Sequence, residues 1–364
     1  MPNQREPVTT VQLACVIINS TIGISVLSLP RWGAEIVGSG GVFATFLALI
    51  FYLIFLVILS LVARRFPEQN LIQFGNKIVG KYISFIFGLM ITVLFVLLTS
   101  MVIREFGEVM ATTLLRETPL EVSLFVMLAI VAIASRKNIS EFGYIHFYYI
   151  PFIIMPGLFL ISMAIPEGDF FRILPVLGNE PSLTGMLDSS MTIIALPFFQ
   201  IGLYTLTVIF PKMQDPKKAL KGSLYGWIGV FIMIMSITTV TYAALGAEQI
   251  NEEVWPVLAL ARSISFPMPP FQRLDIFFIV FWIITAFTTI LSGFLISIHT
   301  FADTFKMNNH RKLSYWFLPV FLFVALVPEN NVQMYDWMPI IGKTSLVITA
   351  GYPTLLVIIS MFKK

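Results

Sequence analysis

The stretch NSTIGISVLSLP, Asn19 to Pro30, interrupts the first long apolar run of the chain with residues that spoil a helix. Asn19, Ser20, Thr21 and Ser25 carry side chains that compete for backbone hydrogen bonds, and Gly23 has no Cβ. Composition supplies the context. Hydrophobic residues make up 57% of the 364 and charged residues only 12%, about half of the roughly 25% usual in soluble domains. Apolar windows long enough to cross about 30 Å of hydrocarbon recur from end to end, so the chain reads as one membrane domain over residues 1–364 with no sizeable soluble part. A formal charge of +3, with the basic residues scattered over short connections, points away from a nucleic-acid partner. The single cysteine, Cys15, leaves no intrachain disulfide and no cysteine-based metal site.

Apolar windows read against turn and charge signals place ten spans at about 9–33, 40–63, 82–111, 119–136, 140–165, 184–210, 219–246, 271–303, 313–328 and 337–361. The fold class is therefore all-α integral membrane. The long connection near 248–270 contains EEVWPVLALARSI, which reads as an interfacial amphipathic helix with Trp255 as an anchor. Orientation follows from Lys and Arg in alternate connections: 16 lie on the side of the N-terminus and six on the other, with Lys343 near the outer part of the last span. Both termini are then cytoplasmic.

A second interrupted span lies five spans after the first. Within GMLDSSMTIIALPFFQIGLYTLTVIF, Pro197, Gln200 and Gly202 break the helix as Asn19 to Ser25 break span 1. Paired broken helices in corresponding halves are the sequence signature of a transporter-type binding site, because freed N–H groups, carbonyls and half-helix ends can coordinate a ligand near the bilayer midplane. The expectation is a five-plus-five inverted repeat, residues 1–165 and 184–361. The competing reading for Gly23 is close helix packing, and for Pro197 an ordinary kink.

At TIGISVLSLPR (residues 21–31), LPVLG (174–178), FPKMQDPKKALKGSLYG (210–226), FQRLDIFFIVFWIITAFTT (271–289) and VPENN (327–331), the chain resembles the spore-germination permease family. The most specific element is the pattern Arg273, Leu274, Asp275 and Trp282. This family comprises the B subunits of nutrient-germinant receptors, a branch of the amino acid/polyamine/organocation transporter superfamily. The resemblance implies a LeuT-like fold with interrupted helices 1 and 6, and a pocket between spans 1, 3, 6 and 8. It also implies a nutrient ligand such as an amino acid, two partners (a larger membrane A subunit and a C lipoprotein), and the spore inner membrane as location. Where the family motif reads glycine, any residue, glycine, this chain has Gly23 and Ser25. Where many members carry a glutamate in span 6, it has Thr205, which cannot carry a proton or bind an amine as a glutamate does.

Substrate-binding candidates follow. Gly23 and Ser25 lie at the first break, Leu94 and Leu98, spaced i and i+4, form an apolar wall from span 3, and Phe199, Gly202 and Thr205 come from span 6. Thr288 and Thr289 supply hydroxyls from span 8; the bland alternative for each hydroxyl is a bond back to its own helix. Arg104, Glu105 and Glu108 are placed past the outer end of span 3, in a structural or solvated role. Lys343 either snorkels to the surface or stands in for a coupling sodium ion between helices. His146 and His299 are lone histidines without a ligand set, so no metal is expected, and no cofactor or catalytic constellation emerges. The leading function is nutrient sensing on a transporter scaffold, bathed in membrane lipid. A proton- or sodium-coupled amino-acid transporter and an ion or water pathway are the alternatives.

Overall fold

The structure, a computed structural model, describes residues 7–67, 69–264, 274–307 and 309–362, with the side chains of residues 25 and 274 outside that description. Arg5, Arg273, Lys363 and Lys364 thus lie outside the described residues. Fourteen α-helices occur among those described: α1 (Thr10–Thr21), α2 (Leu29–Val37), α3 (Gly41–Arg65), α4 (Leu71–Ile78), α5 (Lys81–Thr113), α6 (Leu120–Ala134), α7 (Ile139–Ala164), α8 (Leu183–Ala195), α9 (Pro197–Ile209), α10 (Ala219–Glu252), α11 (Pro256–Ser263), α12 (Leu274–Thr304), α13 (Leu313–Leu326) and α14 (Asn331–Phe362). The only extended pairing among the described residues is an isolated bridge, in which Val8 N–H donates to the Lys212 carbonyl and Gln214 N–H to the Val8 carbonyl.

Among the described residues six helical stretches are long and apolar enough to cross a membrane: 29–65, 81–113, 139–167, 216–252, 275–304 and 331–362. The bent pair α8–α9 makes a seventh if counted as one span, and α1, α6 and α13 are shorter apolar helices. Helices such as α3 and α5 are apolar on all sides, which is what a segment facing both a protein core and hydrocarbon requires. Their inner faces bury Tyr52, Phe95 and Leu98, while Ile54, Ile86 and Val93 look outward.

Both foreseen breaks are present, each with a local cause. Helix α1 ends at Thr21, a single 3-10 turn (Ile24–Val26) follows, and α2 restarts at Leu29 with Pro30 in its first turn, where the missing N–H costs no helical bond. In the second, Leu196 adopts φ −57° and ψ 143° because the ring of Pro197 disfavours helical geometry in the residue before it. The two segments α8 and α9 meet there at 58°.

Three features differ from expectation. Helix α4 was not foreseen; it is a short amphipathic helix begun by a capping box between Asn70 and Gln73. Helix α14 starts earlier than the apolar window, because its first turns carry polar residues such as Gln333 and Asp336. Helix α11 does occupy EEVWPVLALARSI, but it packs on α10, α12, α2 and α7, burying Val257, Leu258 and Leu260. Trp255 is accordingly a protein anchor: its indole N–H donates to the Tyr335 hydroxyl at 3.0 Å.

Candidate functional site

Ending α1 at Thr21 frees the carbonyls of Asn19 and Ser20, whereas Ile18 O still accepts from Ile22 N–H. Helix α12 runs alongside and supplies donors. The Thr289 hydroxyl lies 3.2 Å from the Asn19 carbonyl and 3.3 Å from that of Ser20, and the Thr288 hydroxyl donates to Thr285 O at 2.9 Å with Asn19 O at 3.4 Å. Further along, Trp282 Nε1 donates to Ile24 O (3.4 Å), and Val257 N–H at the start of α11 donates to Leu27 O (3.3 Å). The freed oxygens are thus met largely from one neighbouring helix.

A polar network continues from this contact into α7. Ser20 Oγ and Ser292 Oγ are 2.7 Å apart, and Ser292 also reaches Thr288 O. His146 Nε2 lies 3.1 Å from Ser292 Oγ, its Nδ1 is 2.9 Å from Phe142 O, and Asn19 Nδ2 donates to His146 O at 2.7 Å. A carbonyl only accepts, so Nδ1 carries the proton and Nε2 can only accept; the single Ser292 proton therefore goes either to Thr288 O or to Nε2, not to both. Asn19, Ser20, His146, Thr288, Thr289 and Ser292 are all 0% exposed, and Asn19 Oδ1 has no hydrogen-bond partner. Fully buried polar clusters in membrane helices either fasten helices together or mark a solute path.

The nine candidates fall into groups. Gly23 is pressed against Thr289: a Cβ built on it would sit 2.6 Å from Thr289 Cβ and closer still to the hydroxyl. Gly23, Thr288 and Thr289 therefore meet at the α1–α12 contact. Phe199 and Gly202 lie on the other flank of α1, where a Cβ at Gly202 would meet the Thr21 hydroxyl and come within 2.8 Å of the Tyr52 hydroxyl. Thr21 and Tyr52 are themselves 2.8 Å apart, and the Tyr52 and Phe199 rings meet edge to face. Thr205 bonds back to Ile201 O at 2.6 Å, the bland alternative. Leu94 and Leu98 are buried on α5, which packs along α12, α9 and the 3-10 turn. The side chain of Ser25 lies outside the described residues. A narrow apolar pocket does adjoin the first break, but it is lined by Ile22, Val26, Phe152, Phe281 and Trp282 rather than by these nine.

Several residues carry more than the sequence assigned them. Gln200, singled out only as a helix interrupter, donates from Nε2 to Ala195 O (2.7 Å) and Gly342 O (2.9 Å) and accepts from Thr349 (3.1 Å), stitching the second break to α14. Its polarity in an apolar run was the available signal. His146, a lone histidine in the sequence, is engaged through both ring nitrogens. Ser292 shares a helix face with Thr288 and Thr289 at i+4 and i+3, a spacing that could have found it.

Glu105 is fully buried within α5 and accepts from Ser28 (3.0 Å) and Tyr335 (3.1 Å), so it ties the first break to α14. Of the two expected roles, solvated or structural, Glu105 thus takes the structural one, inside α5 rather than past its end, and Arg104, 5% exposed, pairs with Glu108 at 2.8 Å. Glu105→Gln keeps an acceptor for both hydroxyls and is expected to fold normally. Glu105→Leu strands them, and a loss of about 2–4 kcal/mol is expected, read as a lower unfolding temperature in detergent. Lys343 pairs with Asp188 at 2.6 Å at the start of α8, both side chains being part-exposed; it is not parked between helices in place of a sodium ion.

Residues 7–334 match the family model described as spore germination protein. Spore germination protein YndE of Bacillus subtilis (strain 168) is 25% identical over 361 residues, which cover 98% of this chain and 97% of that protein. Spore germination protein B2 of the same organism is 24% identical over 356 residues, covering 96% and 94%. Among solved structures, MhsT in complex with L-phenylalanine aligns with a TM-score of 0.71 at 14% identity, covering 98% of this chain and 90% of that one. Mhp1, a nucleobase-cation-symport-1 family transporter in a closed conformation with bromovinylhydantoin bound, aligns with a TM-score of 0.69, also at 14% identity, covering 98% and 93%. At that identity the structures establish a shared transporter fold and nothing finer. With six to seven long apolar spans and a family match over nearly its whole length, this multi-pass membrane chain belongs to the spore germination protein family.

Proposed function

We propose that this chain is the nutrient-sensing subunit of a spore germination receptor, built on a transporter scaffold, with an amino acid or similar solute as its ligand. The observation that carries the reading is the juxtaposition of two broken spans: α1 packs directly on α9, and Gly202 of the second break lies against Thr21 of the first. On this reading α1–α2 and α8–α9 are broken spans 1 and 6 of ten, in two halves, 1–165 and 184–361, that repeat each other in inverted orientation. The bias of Lys and Arg toward one set of connections supports cytoplasmic termini. An amino acid's carboxylate would take N–H groups freed at the half-helix starts, and its ammonium the carbonyls and the Asn19 oxygen. A solved neighbour of the same fold holds L-phenylalanine, and relatives over the whole length are spore germination proteins, which supports this ligand class and the spore inner membrane as location. The receptor reading includes a larger A subunit and a C lipoprotein, to which ligand-biased conformations pass by differential affinity.

Uptake of radiolabelled amino acid into proteoliposomes containing this chain alone tests the reading. Binding without accumulation is the expected result; concentrative uptake would replace the sensor with a coupled transporter. Thr289→Val keeps the volume but removes the hydroxyl that caps Asn19 and Ser20. It is expected to cost about 1 kcal/mol, within the range for hydrogen bonds between membrane helices, and to raise the nutrient concentration needed for germination. An unchanged dose–response curve would remove that hydroxyl from the site.

A further inference from the structure

The apolar pocket beside the first break shares a wall with the outer surface of the protein. Phe152, Pro156 and Phe281, which line it, also line a surface groove between α7 and α12 whose other walls include Met155 and Phe159. That groove faces outward: Phe152 is 46% exposed and Met155 67%, both on a helix long and apolar enough to span a membrane. We propose that the acyl chain of a membrane lipid enters between α7 and α12 and lies in this passage with its end against Ile22 and Val26 of the break.

Chemistry selects this occupant. The inner pocket has two lining side chains with hydrogen-bonding groups, and both are already engaged: the Thr285 hydroxyl donates to Trp282 O at 2.7 Å and the Trp282 indole to Ile24 O. Among the described residues no charged side chain lines either the pocket or the groove. A zwitterionic nutrient would lose its water here with nothing to replace it. A hydrocarbon chain leaves one apolar medium for another and gains close-packed contacts on every side.

The helix that forms the mouth is built to leave space. Pro151 and Pro156 lie within α7, and Gly157 follows the second of them and lines the pocket. A Cβ at Gly157 would meet only the terminal methyl of Met233, the far end of a flexible side chain. Gly157 can thus be enlarged into the passage without striking backbone. Because the passage ends on the break, its filling biases whichever arrangement of α1 and α2 leaves room for it. The inference stands apart from the identity of the solute bound between the broken spans.

The test uses the full chain in nanodiscs whose phosphatidylglycerol carries a photoactivated diazirine near the end of one acyl chain, with adducts mapped by peptide mass spectrometry. Adducts are expected on Phe278 and Trp282, which lie 8% and 2% exposed and beyond reach of the general lipid annulus, as well as on Met155 at the mouth. Val126 and Ile130 of α6, both outward-facing, report annular labelling. Gly157→Phe should abolish adducts on Trp282 and leave those on α6 unchanged. Phe281→Ala, which widens the mouth and adds no bulk, should raise labelling of Trp282, and it decides the matter if Gly157→Phe does not fold. Adducts confined to outward-facing residues would overturn the proposal. So would Trp282 labelling that neither variant changes, or labelling of Trp282 by a diazirine analogue of the nutrient in place of the lipid.

Discussion

Gly23→Leu is expected to abolish the germination response to nutrient and to lower the unfolding temperature of the purified protein. Even a single methyl at this position would stand 2.6 Å from Thr289 Cβ, an atom fixed to α12 that no rotamer change can withdraw. The break and α12 must then part, and the hydroxyl bonds from Thr289 to the Asn19 and Ser20 carbonyls part with them. Overpacking of this kind costs about 1–3 kcal/mol for small additions, and leucine adds several heavy atoms. Gly23→Ala should fall between wild type and leucine. Combining it with Thr289→Gly removes all three of the nearest atoms, at a cost of about 1 kcal/mol for glycine in a helix. Both readouts are taken against Thr289→Gly alone, which already lacks the hydroxyl bonds to Asn19 and Ser20: a double variant equal to it in stability and response shows that Gly23 serves the α1–α12 contact, and a further loss of response at equal stability shows that Gly23 also touches the nutrient. A Gly23→Leu protein with a normal response would show that this contact is not part of the sensing state.

Gln200→Leu is expected to be the most destabilising single change at the second break. The turn at Leu196 leaves Ala195 O without its helical donor, because Phe199 N–H bonds to Leu196 O instead. Gln200 fills that vacancy from its own side chain and reaches Gly342 O on α14 with the same nitrogen. Leucine would strand two carbonyls and the Thr349 hydroxyl in an apolar interior, at about 1–3 kcal/mol for each group that finds no other partner. Thr349→Val removes only one of the three bonds and should cost about 1 kcal/mol. Thermal unfolding in detergent ranks the two; equal losses would show that Gln200 acts through packing alone. Gly342 makes the arrangement possible, since a side chain there would run into the Ala195 carbonyl.

Hydropathy was enough to find the long helices. Windows at 40–63, 82–111 and 140–165 correspond closely to α3, α5 and α7, because a segment in hydrocarbon must be apolar along its whole length. The same rule hid α4 and the polar first turns of α14, which carry amphipathic or mixed sequence and need not be apolar throughout. Both breaks were legible, the first from the run Asn19 to Ser25 with Gly23 and the second from Pro197, Gln200 and Gly202, because the conformational limits of glycine and proline act over one or two residues. The site was legible only in outline. Thr288 and Thr289 do reach the first break, but their hydroxyls are spent on its carbonyls, and Thr205 is spent on its own helix.

Sequence alone settled that this is a membrane chain of apolar helices interrupted at two defined places, since backbone in hydrocarbon must satisfy itself locally and fails to do so only where residue type forbids it. Only the tertiary structure decided who meets the groups those interruptions set free. Asn19 is answered by residues 127 and 270 positions away, Ser28 by Glu105, and Ala195 by a glutamine that also holds α14. Such partners depend on the rotation and depth of whole helices against one another. That register is set by packing across the bundle, and no local pattern in the chain encodes it.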